Sequence, residues 1–586
     1  MSFTNDIIMQ RRRVSTYTVL LIVLGIVFAA RLGYLQIVQH GKYLVQASNE
    51  HTRKYEVPAK RGELFVQDGS ALSPLALNQT LKIIYADPRY VTDKHDASVK
   101  LASVLGGTAA SYMKQLTTGI EYTVLAERVP TSVVAKVKAL GIVGVGYADR
   151  DYRSYPEGQL AAQTLGFVNA DGKGQYGIEG YLDGALSGTP GQLAAKTDTH
   201  GLPIATADNI VKPPVDGTSY VLTIDRNIQA MAEQELAAQI QKVKAKSGSI
   251  VVLDPANGEV RAMANFPTFD PNAYGSVKDY GVFVNQVVSN QFEPGSGVKA
   301  FTMATGLDQG KVKPDTTYDD PGCYRIDERQ VCNAAGDKSG KGKTMTVVLR
   351  DSLNTGIIFV LRQLGTDTNS FTLAGKKTLY TYFTRHFGFG VPTGIEQSSE
   401  AAGSITQPSN NAGNNVTYAN MAFGQGMSAT MIQMVAAMAA VANGGKLYQP
   451  RLVAGTIGPD GVVAAKPANL LADHVMSPAA ISDLNSMLQV VVQHGSGYIA
   501  GGMNPGYKIA GKTGTAQIPK GDGQGYIDGA NIGSFVGFAP ADNPKFVVMV
   551  RINEPGIAGY AETTTVPVFG DVCRWLFKYY GIPPSA

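Results

Sequence analysis

The apolar positions of this chain change their period from one region to the next. Near the N-terminus a continuous apolar run covers Val14 to Ala30, broken only by Ser15, Thr16, Tyr17 and Thr18 among polar members. Arg31 interrupts it, and Leu32-Gly-Tyr-Leu-Gln-Ile-Val38 resumes it. A bilayer core needs about 20 helical residues, so residues 14–38 are expected to cross a membrane with Arg31 snorkelling toward the far interface. No A-x-A-like site ends the apolar core, which favours an uncleaved anchor over a signal peptide. Residues 39–215 are mixed in pattern, with strand-like stretches such as Leu81-Lys-Ile-Ile-Tyr-Ala. Lys212-Pro-Pro-Val-Asp-Gly-Thr218 then reads as a turn-rich boundary.

After that boundary the signals sharpen. Tyr220-Val-Leu-Thr-Ile224 predicts a strand, and Asp225 caps a helix whose apolar positions are Ile228, Met231, Leu236 and Ile240. Gly248–Asp254, the turn Pro255-Ala-Asn-Gly258 and Glu259–Met263 predict a hairpin. At the far end Tyr507–Thr513, Gly533–Phe538 and Phe546–Ile552 read as successive strands, and Val566–Tyr580 as a final helix. Strands from both ends of one region, with helices between, predict an α+β fold whose central antiparallel sheet is closed by the two termini and flanked by helices. The expected division is a tail (1–13), a transmembrane helix (14–38), an N-terminal module (39–215) and a larger second domain (216–586).

Composition changes little in this picture. The chain has 586 residues, more than one ordinary domain, and its net charge of +4 gives no reason to expect nucleic acid. Arg11-Arg12-Arg13, just before the apolar run, places residues 1–13 in the cytoplasm and the bulk of the chain outside. Of three cysteines, Cys323 and Cys332 flank a polar loop; an oxidising exterior allows a disulfide, and two unrelated thiols are an equally open reading. Cys573 reads as helix core. No C-x-x-C pair or histidine cluster suggests a metal, and no cofactor is expected. Gly336–Gly342 and Ser404–Gly413 read as loops, a common place for the rim of a site.

Three short words stand in order within the outer region: Ser296-Gly-Val-Lys299, Ser352-Leu-Asn354 and Lys512-Thr-Gly514. Each alone is weak. S-x-x-K is expected by chance about twice in a chain of this length, and it recurs as Ser111-Tyr-Met-Lys114. S-x-N recurs at Ser409-Asn-Asn411, in a Gly/Asn loop. Context separates the sets. Pro294-Gly295 leads into Ser296, which begins a helix through Val298, Phe301, Met303 and Leu307, so Lys299 lies one turn on from the serine hydroxyl. A serine needs a base to become a nucleophile, and a lysine serves only when neutral. The helix N-terminus and a second cation, for which Lys512 is the candidate, both favour the neutral amine.

Ser352 and Asn354 precede another apolar helix, Ile357–Leu364, where a hydroxyl and an amide can relay a proton and bind substrate amides. N-capping is their ordinary alternative. Lys512-Thr-Gly-Thr515 lies in a strand pattern. There Gly514 lets a peptide backbone approach the edge, Thr513 and Thr515 can hold a carboxylate beside Lys512, and the N–H groups of Ser296 and Thr515 can form an oxyanion hole. A Ser-His-Asp site is not indicated, because no G-x-S-x-G elbow is visible.

At these residues the chain resembles the class B penicillin-binding proteins, the monofunctional D,D-transpeptidases of bacterial wall synthesis. The likeness includes Arg61-Gly62, Arg153-Ser-Tyr-Pro156, Gly177-Ile-Glu179, Leu186-Ser-Gly-Thr-Pro-Gly191, Leu222-Thr-Ile-Asp225, Asp270-Pro-Asn272, Glu293-Pro-Gly-Ser296, Ala510–Ala516 and Gly533–Pro540. The resemblance implies that Ser296 attacks the penultimate D-Ala of a stem peptide, with Lys299 as base. Ser352, Asn354 and Lys512 would assist, and Thr513, Gly514 and Thr515 would bind substrate. It also implies acylation of Ser296 by β-lactams and a polytopic glycan polymerase as division partner. The chain is most similar to the division-specific members, because it stops soon after the last predicted helix. The alternatives are an elongation-type enzyme and a catalytically silent division scaffold.

Three departures from the family pattern stand out. Gly297 and Val298 replace the usual Thr and aromatic or Met. Arg61-Gly-Glu-Leu-Phe-Val66 lacks the usual Asp, which questions the pedestal's normal contacts. The segment from Cys323 to Lys343 is unusual in composition.

Overall fold

The computed structural model describes residues 3–44, 52–118, 122–196, 210–334, 339–458, 460–520, 525–557 and 560–585. Part of the expected loop Gly336–Gly342 lies outside them. The chain forms two compact units, one of Met1–Lys60 with Gly188–Gly217, the other of Arg61–Ser187 with Thr218–Ala586.

In the first unit a helix runs from Phe3 to Gly33 and continues as a wider turn over Tyr34–Val38. Within its stretch Gln10–Val38 an 18-residue window has a mean hydropathy of 2.2 and no buried residue, so by length and composition the helix can cross a membrane. The hydroxyls of Thr16 and Thr18 donate to the carbonyls of Arg12 and Val14 at 2.8 Å, which satisfies them without water. The same unit holds a small antiparallel sheet in which Gly191–Lys196 pairs with both Thr52–Val57 and Ile210–Lys212.

The second unit carries all three words. Helix α1 (Arg226–Val243) starts where expected, with the Asp225 carboxylate accepting the amides of Asn227 and Ile228. Strands β1 (Ser247–Leu253) and β2 (Val260–Phe266) form the predicted hairpin. Helices α2 (Lys299–Asp308), α3 (Asn354–Gln363), α4 (Met431–Ala442) and α5 (Pro478–His494) follow. Strands β3 (Ala510–Pro519), β4 (Tyr526–Ala539) and β5 (Phe546–Asn553) precede the last helix, α6 (Val566–Tyr579).

The five strands make one antiparallel sheet in the order β2-β1-β5-β4-β3, so strands from the two ends of the region meet as the sequence predicts. Ile250, Val252, Val548, Val550 and Ile552 face α1 and α6. Their neighbours Val251, Leu253, Val547 and Met549 face the central helices. Both faces are covered, which is why these strands read as unbroken apolar runs instead of alternating ones.

A second sheet crosses the expected boundary near residue 215. Ser219–Asp225 pairs in parallel with Leu64–Asp68 and antiparallel with Val453–Ile457. Leu64–Asp68 pairs in turn with the long strand Ala71–Ala86. Without the usual Asp in its element, Arg61 still has acidic partners. Arg61 pairs with Glu179 and Asp183, each at 2.7 Å, and Glu179 also holds Arg153 at 2.6 Å.

Candidate active site

One cavity of about 670 Å³ gathers residues from all three words: Ser296, Lys299, Ser352, Asn354, Thr513 and Thr515 line it together. Ser296 sits in a 3-10 turn, Gly295–Val298, and α2 proper begins at Lys299. The tight turn replaces the α-helical start expected from the pattern, and backbone crowding explains it. Gly295 has φ +55°, and a Cβ there would lie 2.7 Å from the Thr515 carbonyl oxygen. Its amide donates to the carbonyl of Gly424 at 3.0 Å. The turn that carries Ser296 is thus pressed between β3 and Gly424.

Lys299 is 1 % exposed, on a helix that is buried all round. Its Nζ donates to both oxygens of Ser352, the carbonyl and, at 3.2 Å, the hydroxyl. Ser352 adopts φ +57°, a left-handed conformation that costs a non-glycine residue on the order of 1 kcal/mol. The bend falls between helix Met345–Arg350 and α3, where both oxygens of Ser352 are brought to the lysine. Neither Ser352 nor Asn354 caps α3, whose cap position is Leu353 with no side-chain bond. Asn354 instead donates its Nδ2 to the Cys332 carbonyl at 2.8 Å.

That contact gives the unusual 323–343 segment a place in the site. Cys323 and Cys332 are disulfide-bonded across the hairpin Cys323–Ile326/Arg329–Cys332. The following Asn333 accepts the Thr355 amide at 3.0 Å and is itself held by Asp320. Asp320 also accepts from the Thr355 hydroxyl at 2.7 Å and from Lys343 at 3.2 Å. Cys573 is buried in α6, where burial pushes its thiol well up and leaves it unreactive.

On the opposite wall, Thr513 and Thr515 of the edge strand β3 face the cavity. Lys512 does not line it. The side chain is fully buried, and its Nζ donates to the Thr513 carbonyl and hydroxyl, each at 3.2 Å, so its charge reaches the cavity through Thr513. Burial pushes the Lys512 ammonium down to about 8, with Glu562 opposing the shift. Gly514 has a different reason from the one the pattern suggests. A Cβ there would point at Ser534 Oγ and the Pro294 carbonyl, at 2.5 and 2.6 Å, so the close approach belongs to the protein's own backbone.

The competing words lie elsewhere. Ser111 and Lys114 belong to a short helix capped by Thr108, and Ser409 offers its carbonyl to Lys376. Sequence reasoning missed Ser496, whose hydroxyl is 2.6 Å from that of Thr513 on the cavity wall. It also missed Tyr560 and Glu562, which line the same cavity. The one available signal for Ser496 was the turn Gly495-Ser-Gly497 closing an apolar helix.

Comparison with known proteins agrees with this geometry. Residues 248–574 match the penicillin binding protein transpeptidase domain, and residues 56–222 the penicillin-binding protein dimerisation domain. Stage V sporulation protein D of Bacillus subtilis is 33% identical over 96% of this chain and 85% of its own. A probable peptidoglycan D,D-transpeptidase, PbpC of Pseudomonas aeruginosa, is 30% identical over 98% of this chain and 97% of its own. Among solved structures, penicillin binding protein 3 of Mycobacterium tuberculosis complexed with aztreonam superposes with a TM-score of 0.68 at 27% identity, covering 91% of this chain and 98% of that one. Two family domains in order, and relatives that match nearly end to end, make this chain a member of the class B penicillin-binding proteins, the monofunctional peptidoglycan D,D-transpeptidases.

Proposed function

We propose that Ser296 is the nucleophile of this transpeptidase, on the observation that residues of all three words converge on one cavity with Lys299 bonded to Ser352. Lys299 takes the Ser296 proton as Oγ attacks the penultimate D-Ala carbonyl of a stem peptide. The N–H groups of Ser296 and Thr515 hold the oxyanion. Ser352 relays the proton to the departing amine, so terminal D-Ala leaves as a neutral amine and an ester remains on Ser296. Asn354 orients the substrate amide, while Thr513 and Thr515, backed by Lys512 and adjoining Gly514, hold the terminal carboxylate. An acceptor amine then attacks the ester, Ser296 recovers its proton, and a cross-link forms. β-Lactams acylate the same serine.

The wider assignment follows the same reading. Residues 1–13 lie in the cytoplasm and 14–38 span the membrane, supported by the arginines before the apolar run. Residues 39–215 act as the pedestal and 216–586 as the transpeptidase domain. A polytopic glycan polymerase is the partner, and septal wall synthesis the setting, supported by the likeness to division-specific members. A fluorescent fusion that stays away from the division site would remove the septal part.

Labelling with a fluorescent penicillin, followed by mass mapping, tests the chemistry. The adduct is expected on Ser296 and absent from Ser296→Ala, whose melting temperature stays at the wild-type value. Cross-linking retained in that variant would overturn the assignment.

A further inference from the structure

The cavity carries two carboxylates that the chemistry above does not use, Asp351 and Glu562. Its charged lining residues are Lys299, Arg350, Asp351 and Glu562. Arg350 and Asp351 pair with each other at 2.6 Å, and Lys299 is bonded to Ser352. Glu562 makes no hydrogen bond and no close ion pair among the described residues, is only partly exposed, and acts at longer range on the buried Lys512 ammonium. It lies in the short helix Ala561–Thr564, which is tied to the edge strand by the Ala561 amide donating to Thr515 Oγ1 at 3.4 Å. Tyr560, 72 % exposed, lines the same cavity two residues earlier.

A carboxylate beside an open aromatic ring is the chemistry that recognises an ammonium group, through charge-assisted hydrogen bonds and the ring's negative face. The two substrates of a transpeptidase differ in sign where they react. The donor stem ends in a carboxylate, which Glu562 repels. The acceptor brings an amine that is cationic at neutral pH, which Glu562 attracts. Beyond favouring the charge of buried Lys512, an acid on this rim therefore works against the donor carboxylate and attracts the acceptor amine.

We propose that Glu562 and Tyr560 form the acceptor subsite, binding the ammonium group of the incoming stem peptide beside the Ser296 ester. The proposal rests on the acyl-enzyme reading above. Glu562 concentrates the acceptor and takes no proton in the transfer. The bound ammonium loses a proton to solvent, the neutral amine attacks the ester carbonyl, and Ser296 Oγ leaves, reprotonated through Lys299. Glu562 thereby raises transfer over hydrolysis for cationic acceptors in particular.

The test compares products of one acyl-enzyme in the full-length chain, in detergent, with a stem peptide ending in D-Ala-D-Ala as donor. Aminolysis and hydrolysis products are counted by mass spectrometry with two acceptors: a stem peptide with a free side-chain amine, and hydroxylamine, which is uncharged at neutral pH. Both products share one intermediate, so their ratio is independent of the acylation rate.

A partly exposed ion pair gives a factor of about five. Glu562→Gln is expected to lower the ratio about fivefold for the cationic acceptor and to leave it unchanged for hydroxylamine. Salt should lower the wild-type ratio for the cationic acceptor and have no such effect in the variant. Tyr560→Ala should show a smaller drop with the same selectivity. Equal ratios in wild type and Glu562→Gln overturn the proposal. If that variant fails to fold, a salt-insensitive wild-type ratio overturns it. Failure of penicillin to label Ser296 is a separate result, which defeats the acyl-enzyme reading instead.

Discussion

Replacing Gly514 by alanine measures how tightly the Ser296 turn is set against the edge strand. A Cβ at this position meets Ser534 Oγ at 2.5 Å, the Pro294 carbonyl oxygen at 2.6 Å and the Gly297 amide nitrogen at 3.3 Å. The serine hydroxyl can rotate aside. Pro294 and Gly297 cannot, because they are backbone on either side of Ser296. Ordinary contact needs about 3.5 Å, so strand and turn must part by roughly 0.9 Å, the difference between 3.5 and 2.6. Overpacking of this kind costs about 1–3 kcal/mol. Misplacing a reacting group by about an ångström costs on the order of a hundredfold in rate. Gly514 has no positive φ, so an alanine here would otherwise stabilise by about 0.4–1 kcal/mol through the unfolded chain. The sign of the change is therefore diagnostic. The expected variant melts earlier and is acylated by a fluorescent penicillin about a hundredfold more slowly, read as labelling rate beside a melting curve. Labelling within about threefold of wild type, at an unchanged or raised melting temperature, would refute the reasoning, since threefold is only about 0.6 kcal/mol.

Three further outcomes follow from named contacts. Below about 8 Lys512 is protonated in both states and the full cost of its burial is present; stability then rises with pH up to its ordinary 10.5, because the folded form has shed the proton and the unfolded form has not. That cost is roughly 3 kcal/mol, so Lys512→Met should gain about this much at neutral pH, lose the gain toward pH 10.5 and lose acylation; a wild-type-to-variant difference in denaturation midpoint that ignores pH would contradict it. For Gly297→Ala, the new Cβ meets only the flexible end of Met434, at 3.3 Å, inside a helical turn. The variant should be up to about 1 kcal/mol more stable and acylate at near the wild-type rate, and an earlier melt would count against this. Asp320→Ala removes the carboxylate that Thr355, Asn333 and Lys343 share beside Asn354. It should cost about 2–4 kcal/mol and slow penicillin labelling, and an unchanged midpoint would show that the network does not support the site.

The parts of this protein legible in its sequence are those fixed by local pattern. The anchor follows from one apolar run, the Asp225 cap from a single side chain, and the sheet strands from runs that are apolar because both their faces are covered. The three words also announced themselves, since the residue types an acyl transfer needs stand at helical or strand spacing. Partner choice across long separations carries no local signal. Nothing in the pattern around Leu64 says that it pairs in parallel with Tyr220, so the expected boundary near residue 215 cuts a sheet that the chain builds across it.

The site repeats this division between local and distant information. Sequence named the candidate residues for the chemistry; tertiary contact decided what each one touches. Asn354 is held by a carbonyl of the disulfide hairpin, Thr513 by Ser496, and Gly514 is small to admit Pro294. Lys512 lies fully buried behind Thr513, and Glu562 stands on the cavity rim. The physical reason is range. Propensity, capping and periodicity act over a few residues, whereas burial, ion pairing and close backbone approach are properties of neighbours that only the folded chain brings together.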